Sequence, residues 1–166
     1  MKILIPVDGS QAALAPLEHV ARLARQGVRA EVLLVNVQPR LHRHIVRFTR
    51  RADRDSLRAE RSRAAMADAI ERLGAARVPF RAVTEVGRPA ARIAAAARAQ
   101  SVDEIVMGTG RHPLWLRWLN PSIAERLIEL TDIPVTVLAR GRAGTLERYA
   151  IPAGVAGLAA LLIAAD

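Results

Sequence analysis

The sequence predicts an α/β fold built on a parallel sheet, and three observations carry that prediction. The runs KILIPV at 2–7 and EVLLVNV at 31–37 are too continuously apolar for half-exposed strands, so they belong to a sheet covered on both faces. Such runs alternate with single segments of helical periodicity. Strands separated by one helix each pair in parallel through right-handed crossovers.

Taken in order, Lys2–Val7 is the first strand, and Gln11–Gln26 follows with Ala, Leu and Val at helical spacing and Ser10 as its N-cap. The second strand is Glu31–Val37. Ser56–Ala76 reads as a long Arg/Ala-rich helix, and Arg81–Val86 as a third, weaker strand. Gly87-Arg88-Pro89 turns the chain into a helix over Ala90–Ala99, with proline suited to the first turn. Glu104–Met107 is a fourth strand leading into the turn Gly108-Thr109-Gly110. A helix starts at Ser122, and Val135–Leu138 is the fifth strand.

The chain's 166 residues suffice for one domain with its own core and a short extension. It contains no cysteine, which excludes disulfides and thiolate chemistry. No signal-peptide pattern precedes the first strand, so a cytoplasmic location is expected. The net charge is +9, and all but one of the 25 basic residues are arginine, the exception being Lys2. With alanine also abundant, that excess reads as compositional bias, and the charge by itself does not argue for nucleic acid. No Ser-His-Asp set, metal-ligand spacing or paired carboxylates points to an enzyme, and none is expected.

The stretch 104–138 carries the most information. In a parallel sheet, ligands sit where strands end. Here a strand runs into Gly108-Thr109-Gly110, and the helix from Ser122 offers free N–H groups to an anion. Together these make half of a phosphate site.

With these motifs in place, residues 1–139 resemble the universal stress protein family. The matching pieces are Ile5-Pro6-Val7-Asp8-Gly9-Ser10, Val35-Asn36-Val37, Gly87-x-Pro89-x-x-x-Ile93, Ile105-Val106-Met107-Gly108-Thr109, Ser122-x-x-x-Arg126-Leu127 and Ile133-Pro134-Val135. The resemblance implies a Rossmann-like five-stranded sheet of order 3-2-1-4-5, of the adenine-nucleotide alpha-hydrolase type. It also implies a homodimer formed through the last strand. ATP-binding members carry a G-x2-G-x9-G-[ST] loop. Laid on this chain, the pattern puts its glycines at Gly108, Arg111 and Pro121 and its hydroxyl at Ser122, so two glycines are absent. Proline offers no N–H to a phosphate. Arg111 could replace an amide with a guanidinium, fill the pocket, or face solvent. Gly110 stands close enough to restore the turn. Ser122-x-x-Glu125 has capping-box spacing, by which the helix start would close on its own side chains. Asp8 and Val37 fall at positions resembling the family's adenine and ribose contacts, while Asp8 also suits an ordinary turn. The candidate nucleotide site is thus Asp8, Val37, Gly108, Thr109, Gly110, Arg111 and Ser122, for ATP or AMP if it binds any cofactor.

Three features lie outside that pattern. Residues 40–63 hold nine arginines against Asp53, Asp55 and Glu60, so about +6 of the +9 falls there. Arg47, Arg50, Arg51 and Arg54 would share one helix side, open to an acidic protein, anionic lipid or nucleic acid. His42 and His44 are too few for a metal site. Trp115 and Trp118 occupy the connection over the cleft and could anchor a protein partner. After a basic linker at 140–148, residues 149–166 read as an apolar helix. Its 17 uncharged residues, Tyr149–Ala165, are at the lower edge of what spans a membrane.

The reading that follows is a regulatory or interaction module, dimeric and non-catalytic, with a degenerate nucleotide loop. Two alternatives stand beside it. One is an ATP- or AMP-binding stress switch using Arg111, and the other a module held on the inner face of a membrane by residues 149–165.

Overall fold

A computed structural model describes residues 1–40, 50–109 and 123–139. Five parallel strands, β1 (Lys2–Pro6), β2 (Glu31–Gln38), β3 (Phe80–Val86), β4 (Glu104–Thr109) and β5 (Val135–Ala139), form one sheet in the order β3-β2-β1-β4-β5. Order and direction agree with the expectation. Successive residues of each inner strand point to opposite faces, and both faces are apolar. On one face Ile3, Ile5, Val32, Leu34 and Val106 pack with Leu17 and Val20 of helix α1 (Leu14–Arg25) and Met66, Ala69 and Leu73 of α2 (Arg51–Ala75). On the other, Leu4, Leu33, Val35, Ile105 and Met107 meet Ile93, Ala94 and Ala97 of α3 (Pro89–Ala99) and Leu127 of α4 (Ile123–Leu130). Burial of side chains on this scale, at about 25 cal/mol per Å² of apolar surface, holds the three layers together.

Several boundaries differ from the sequence reading. The first helix does not begin as an α-helix at Gln11: Gln11–Ala13 is a 3-10 turn, and the α-helix starts at Leu14. Ser10 stands at its start without a side-chain capping bond. The Ser10 N–H is instead held in the preceding loop, where Asp8 Oδ1 accepts it at 2.9 Å. Helix α2 begins five residues earlier than expected, at Arg51. Those added residues carry no buried apolar side chain to signal them; Arg51 and Arg58 instead bracket Asp55 at helical spacing, 3.7 and 3.1 Å away.

The fourth strand also runs past Met107. Gly108 and Thr109 pair with Leu138 and Ala139 in the ladder rather than opening a flexible turn. Gly108 is needed here for space. A Cβ on it would stand 2.5 Å from the Ala12 carbonyl carbon and nearer still to its oxygen, because the 3-10 turn presses onto this strand.

Candidate functional site

The strand order reverses between the central strand β1 and its neighbour β4, so the crevice outside their carboxyl ends is where this topology places a ligand. Four of the expected site residues are described. Asp8, exposed, leads the loop after β1, and Val37, half-buried, lies near the end of β2. Gly108 and Thr109 end β4 beside them. The other three, Gly110, Arg111 and Ser122, lie outside the described residues, as do Trp115, Trp118, His42, His44 and residues 140–166.

The Asp8 loop is shaped by its own backbone. Gly9 has φ +82°, a left-handed conformation open to glycine, and lies under helix α2: a Cβ here would stand 3.3 Å from the Ala65 Cα. With the Asp8 carboxylate accepting the Ser10 N–H, the loop has the form of an Asx turn. One carboxylate oxygen is engaged in that turn. The side chain stays exposed, so its remaining lone pairs face the crevice mouth or solvent.

Beneath this loop is a polar pair that the sequence reading missed. Asn36, 2% exposed, donates through Nδ2 to the Val7 carbonyl at 2.7 Å, and its Oδ1 accepts from Gln38 Nε2 at 2.6 Å. The pair ties the end of β2 to the end of β1. The Gln38 carbonyl in turn accepts the Gly87 N–H at 3.0 Å, joining the β3 exit to the same edge. The signal was present in EVLLVNVQ: two amides at i and i+2 in an apolar run share one face, and buried amides require partners.

Helix α2 adds charge to this edge. Of its arginines, Arg58 keeps only 23% of its side chain exposed against 90% for Arg51. Its Nη1 donates to Asp55 at 3.1 Å, while its Nε is buried with no hydrogen-bond partner. Further from the crevice, the Ser62 and Thr84 hydroxyls bond at 2.5 Å and fix α2 to β3. Among the described residues, no three His, Asp or Glu side chains come together as a metal site, and no helix is long and apolar enough to cross a membrane. A shallow depression of about 480 Å³ opens at the opposite edge, between Lys2, Arg29, Glu31, Pro79 and Asp103. It lies at the amino ends of the strands, away from the switch point, and holds none of the candidate site residues.

Comparison with known proteins follows this geometry. The model of the universal stress protein family matches residues 1–139. No curated protein matches the chain. Among solved structures, the hypothetical protein MJ0577 is 25% identical with a TM-score of 0.67, over 86% of this chain and 97% of that one. A universal stress family protein of Burkholderia pseudomallei is also 25% identical, with a TM-score of 0.62 over 82% of this chain and 94% of its own. A family protein from Arabidopsis thaliana, solved with AMP bound, shares 15% identity and the fold, with a TM-score of 0.63 over 86% of this chain and 93% of that one.

Proposed function

We propose that this chain, which belongs to the universal stress protein family, is a non-catalytic regulatory module that takes an adenine nucleotide by its nucleoside end. The observation that carries this reading is the carboxyl edge of the sheet, where the candidate nucleoside residues fall. Asp8 follows β1, Val37 is near the end of β2 and Gly108 near the end of β4, with the hydrogen-bonded Asn36–Gln38 pair at the same edge. The Arabidopsis thaliana protein with AMP bound supports the same ligand class. The phosphate half departs from the family's loop at Arg111 and Pro121. AMP, with one phosphate to hold, therefore suits the site better than ATP.

In this reading the chain works as a dimer through β5, whose outer edge carries no strand among the described residues. Ile123, Ile128 and Leu130 of α4 are exposed beside it. Residues 1–139 form the sensing domain, and the basic segment 140–148 links it to the apolar stretch 149–166, which would join a partner or the inner face of a membrane.

The test is calorimetric titration of the full chain with AMP, ATP and adenosine, beside Asp8→Ala. AMP binding in the micromolar range, weakened tenfold or more by Asp8→Ala in a folded protein, is expected. A second reading, a ligand-free interaction module, is favoured by the Asp8 carboxylate already serving the Ser10 N–H. No heat with any of the three compounds would establish that reading in place of the first.

A further inference from the structure

The geometry points to a phosphate-binding stripe on helix α2, formed by Arg58 with Arg54 and Arg61, that stands in for the degenerate loop. The inference rests on the nucleotide reading for its ligand, although the stripe can be tested without it. Arg54, Arg58, Arg61 and Ala65 succeed one another at spacings of four, three and four residues, so they lie along one side of the helix. Ala65 is the member of that side that lies against Gly9, next to Asp8. The three arginines therefore continue, turn by turn, the line of contact that α2 makes with the site's own loop.

Helix α2 also extends past the carboxyl edge of the sheet. It runs from the carboxyl edge of the sheet to the amino edge, and Ser62 is level with Thr84 of β3. Eleven residues, Arg51 to Arg61, lie above that level and extend about 16 Å. The strand continues only through Glu85 and Val86, about 7 Å. The helix thus projects on the order of 10 Å beyond the sheet edge. None of residues 51–61 is buried, yet Arg58 is only partly exposed and its Nε–H is buried without a hydrogen-bond partner. A buried N–H of a guanidinium without an acceptor is costly, and a phosphate oxygen is the acceptor whose charge and geometry match it. Asp55 occupies Nη1 and orients the fork without filling it.

Calorimetry on the full chain with ATP, adenosine and inorganic tripolyphosphate tests the stripe, using Arg58→Gln, Arg61→Gln and the control Arg63→Gln. Arg63 carries the same charge but lies away from the stripe and is exposed. The expected result is that Arg58→Gln weakens ATP and tripolyphosphate by about tenfold and leaves adenosine unchanged, with Arg61→Gln acting in the same direction. Arg63→Gln should change none of the three. Equal losses from Arg58→Gln and Arg63→Gln would overturn the stripe in favour of unspecific charge. So would unchanged binding in Arg58→Gln, or a wild-type protein that binds neither ATP nor tripolyphosphate. Arg58-dependent binding of tripolyphosphate without any binding of adenosine would uphold the stripe and remove the nucleotide reading.

Discussion

Replacing Gly108 by alanine should unfold this domain more easily, and the structure sets the size of the effect. The new methyl would lie 2.5 Å from the Ala12 carbonyl carbon and 3.2 Å from Pro16 Cδ. Carbon atoms in contact prefer about 3.5–4.0 Å, so the 3-10 turn must retreat by roughly 1 Å or more. The obstacle is backbone, and it cannot rotate out of the way as a side-chain tip can. Overpacking of this kind costs about 1–3 kcal/mol, and rigid backbone argues for the upper end. Alanine recovers about 0.5–1 kcal/mol by restricting the unfolded chain. The net loss is about 2 kcal/mol, which for a domain of this size lowers Tm by roughly 6–10 °C. Urea denaturation followed by circular dichroism would read it directly.

Gly74 calibrates that experiment. It lies in α2 with no atom within 4 Å of a would-be Cβ, so Gly74→Ala should stabilise by about 0.5–1 kcal/mol. If Gly74→Ala gains stability and Gly108→Ala does too, the close approach of Ala12 to β4 is wrong. Because the 3-10 turn follows directly from the Asp8 loop, Gly108→Ala should also weaken AMP binding.

Asn36→Leu removes the donor to the Val7 carbonyl and the acceptor for Gln38, leaving two buried polar groups without partners. A loss of about 2–4 kcal/mol is expected in the same denaturation assay, and a loss below about 0.5 kcal/mol would discount the pair. Arg98 donates to the Leu130 carbonyl at 2.7 Å and so caps the end of α4. Its replacement by alanine should cost about 0.5–1 kcal/mol and speed amide exchange in the last turn of that helix. Asp68→Asn, which breaks the exposed 3.0 Å pair with Arg72, should shift stability by less than about 0.5 kcal/mol.

How far the sequence reaches depends on what each segment buries. The covered parallel sheet was legible because β1 and β2 are apolar on both faces, and helices on both sides of a parallel sheet leave such runs, whereas the strand order came from the family resemblance. Strand β3 gave a weaker signal for a physical reason: it is an edge strand with Arg81, Ala82 and Thr84 facing outward or only partly covered. The first turns of α2 gave little apolar signal, because none of residues 51–61 is buried and the core-facing side chains begin at Ser62 and Met66. Asp8 and Gly108 were singled out from the sequence, and both fall at the carboxyl edge of the sheet. The role of Gly108 was misread as turn flexibility, since its purpose is an approach by Ala12 from another element, and no local pattern records that. The Asn36–Gln38 pair could have been found by asking what satisfies two amides in a buried strand.

The arginine content shows the same limit from another side. An excess of arginine spread by composition would fill solvent-facing positions, where a guanidinium costs little. Positions 51 and 63 fit that account, being exposed and replaceable. Position 58 does not. It lies in line with Ala65, keeps less than a quarter of its side chain in water, and has one donor buried without an acceptor. Asp55 answers the charge at Nη1, but composition gives no reason to bury the Nε–H, which stays without an acceptor. Salt distinguishes the two cases. Exposed arginines would lose most of their attraction for a phosphate as ionic strength rises past 0.15 M, where the screening length falls below about 8 Å. Contact through Arg58 should persist further, because a half-buried pair is screened less. Tripolyphosphate binding that vanishes by about 0.3 M salt, equally in wild type and Arg58→Gln, would return position 58 to the composition.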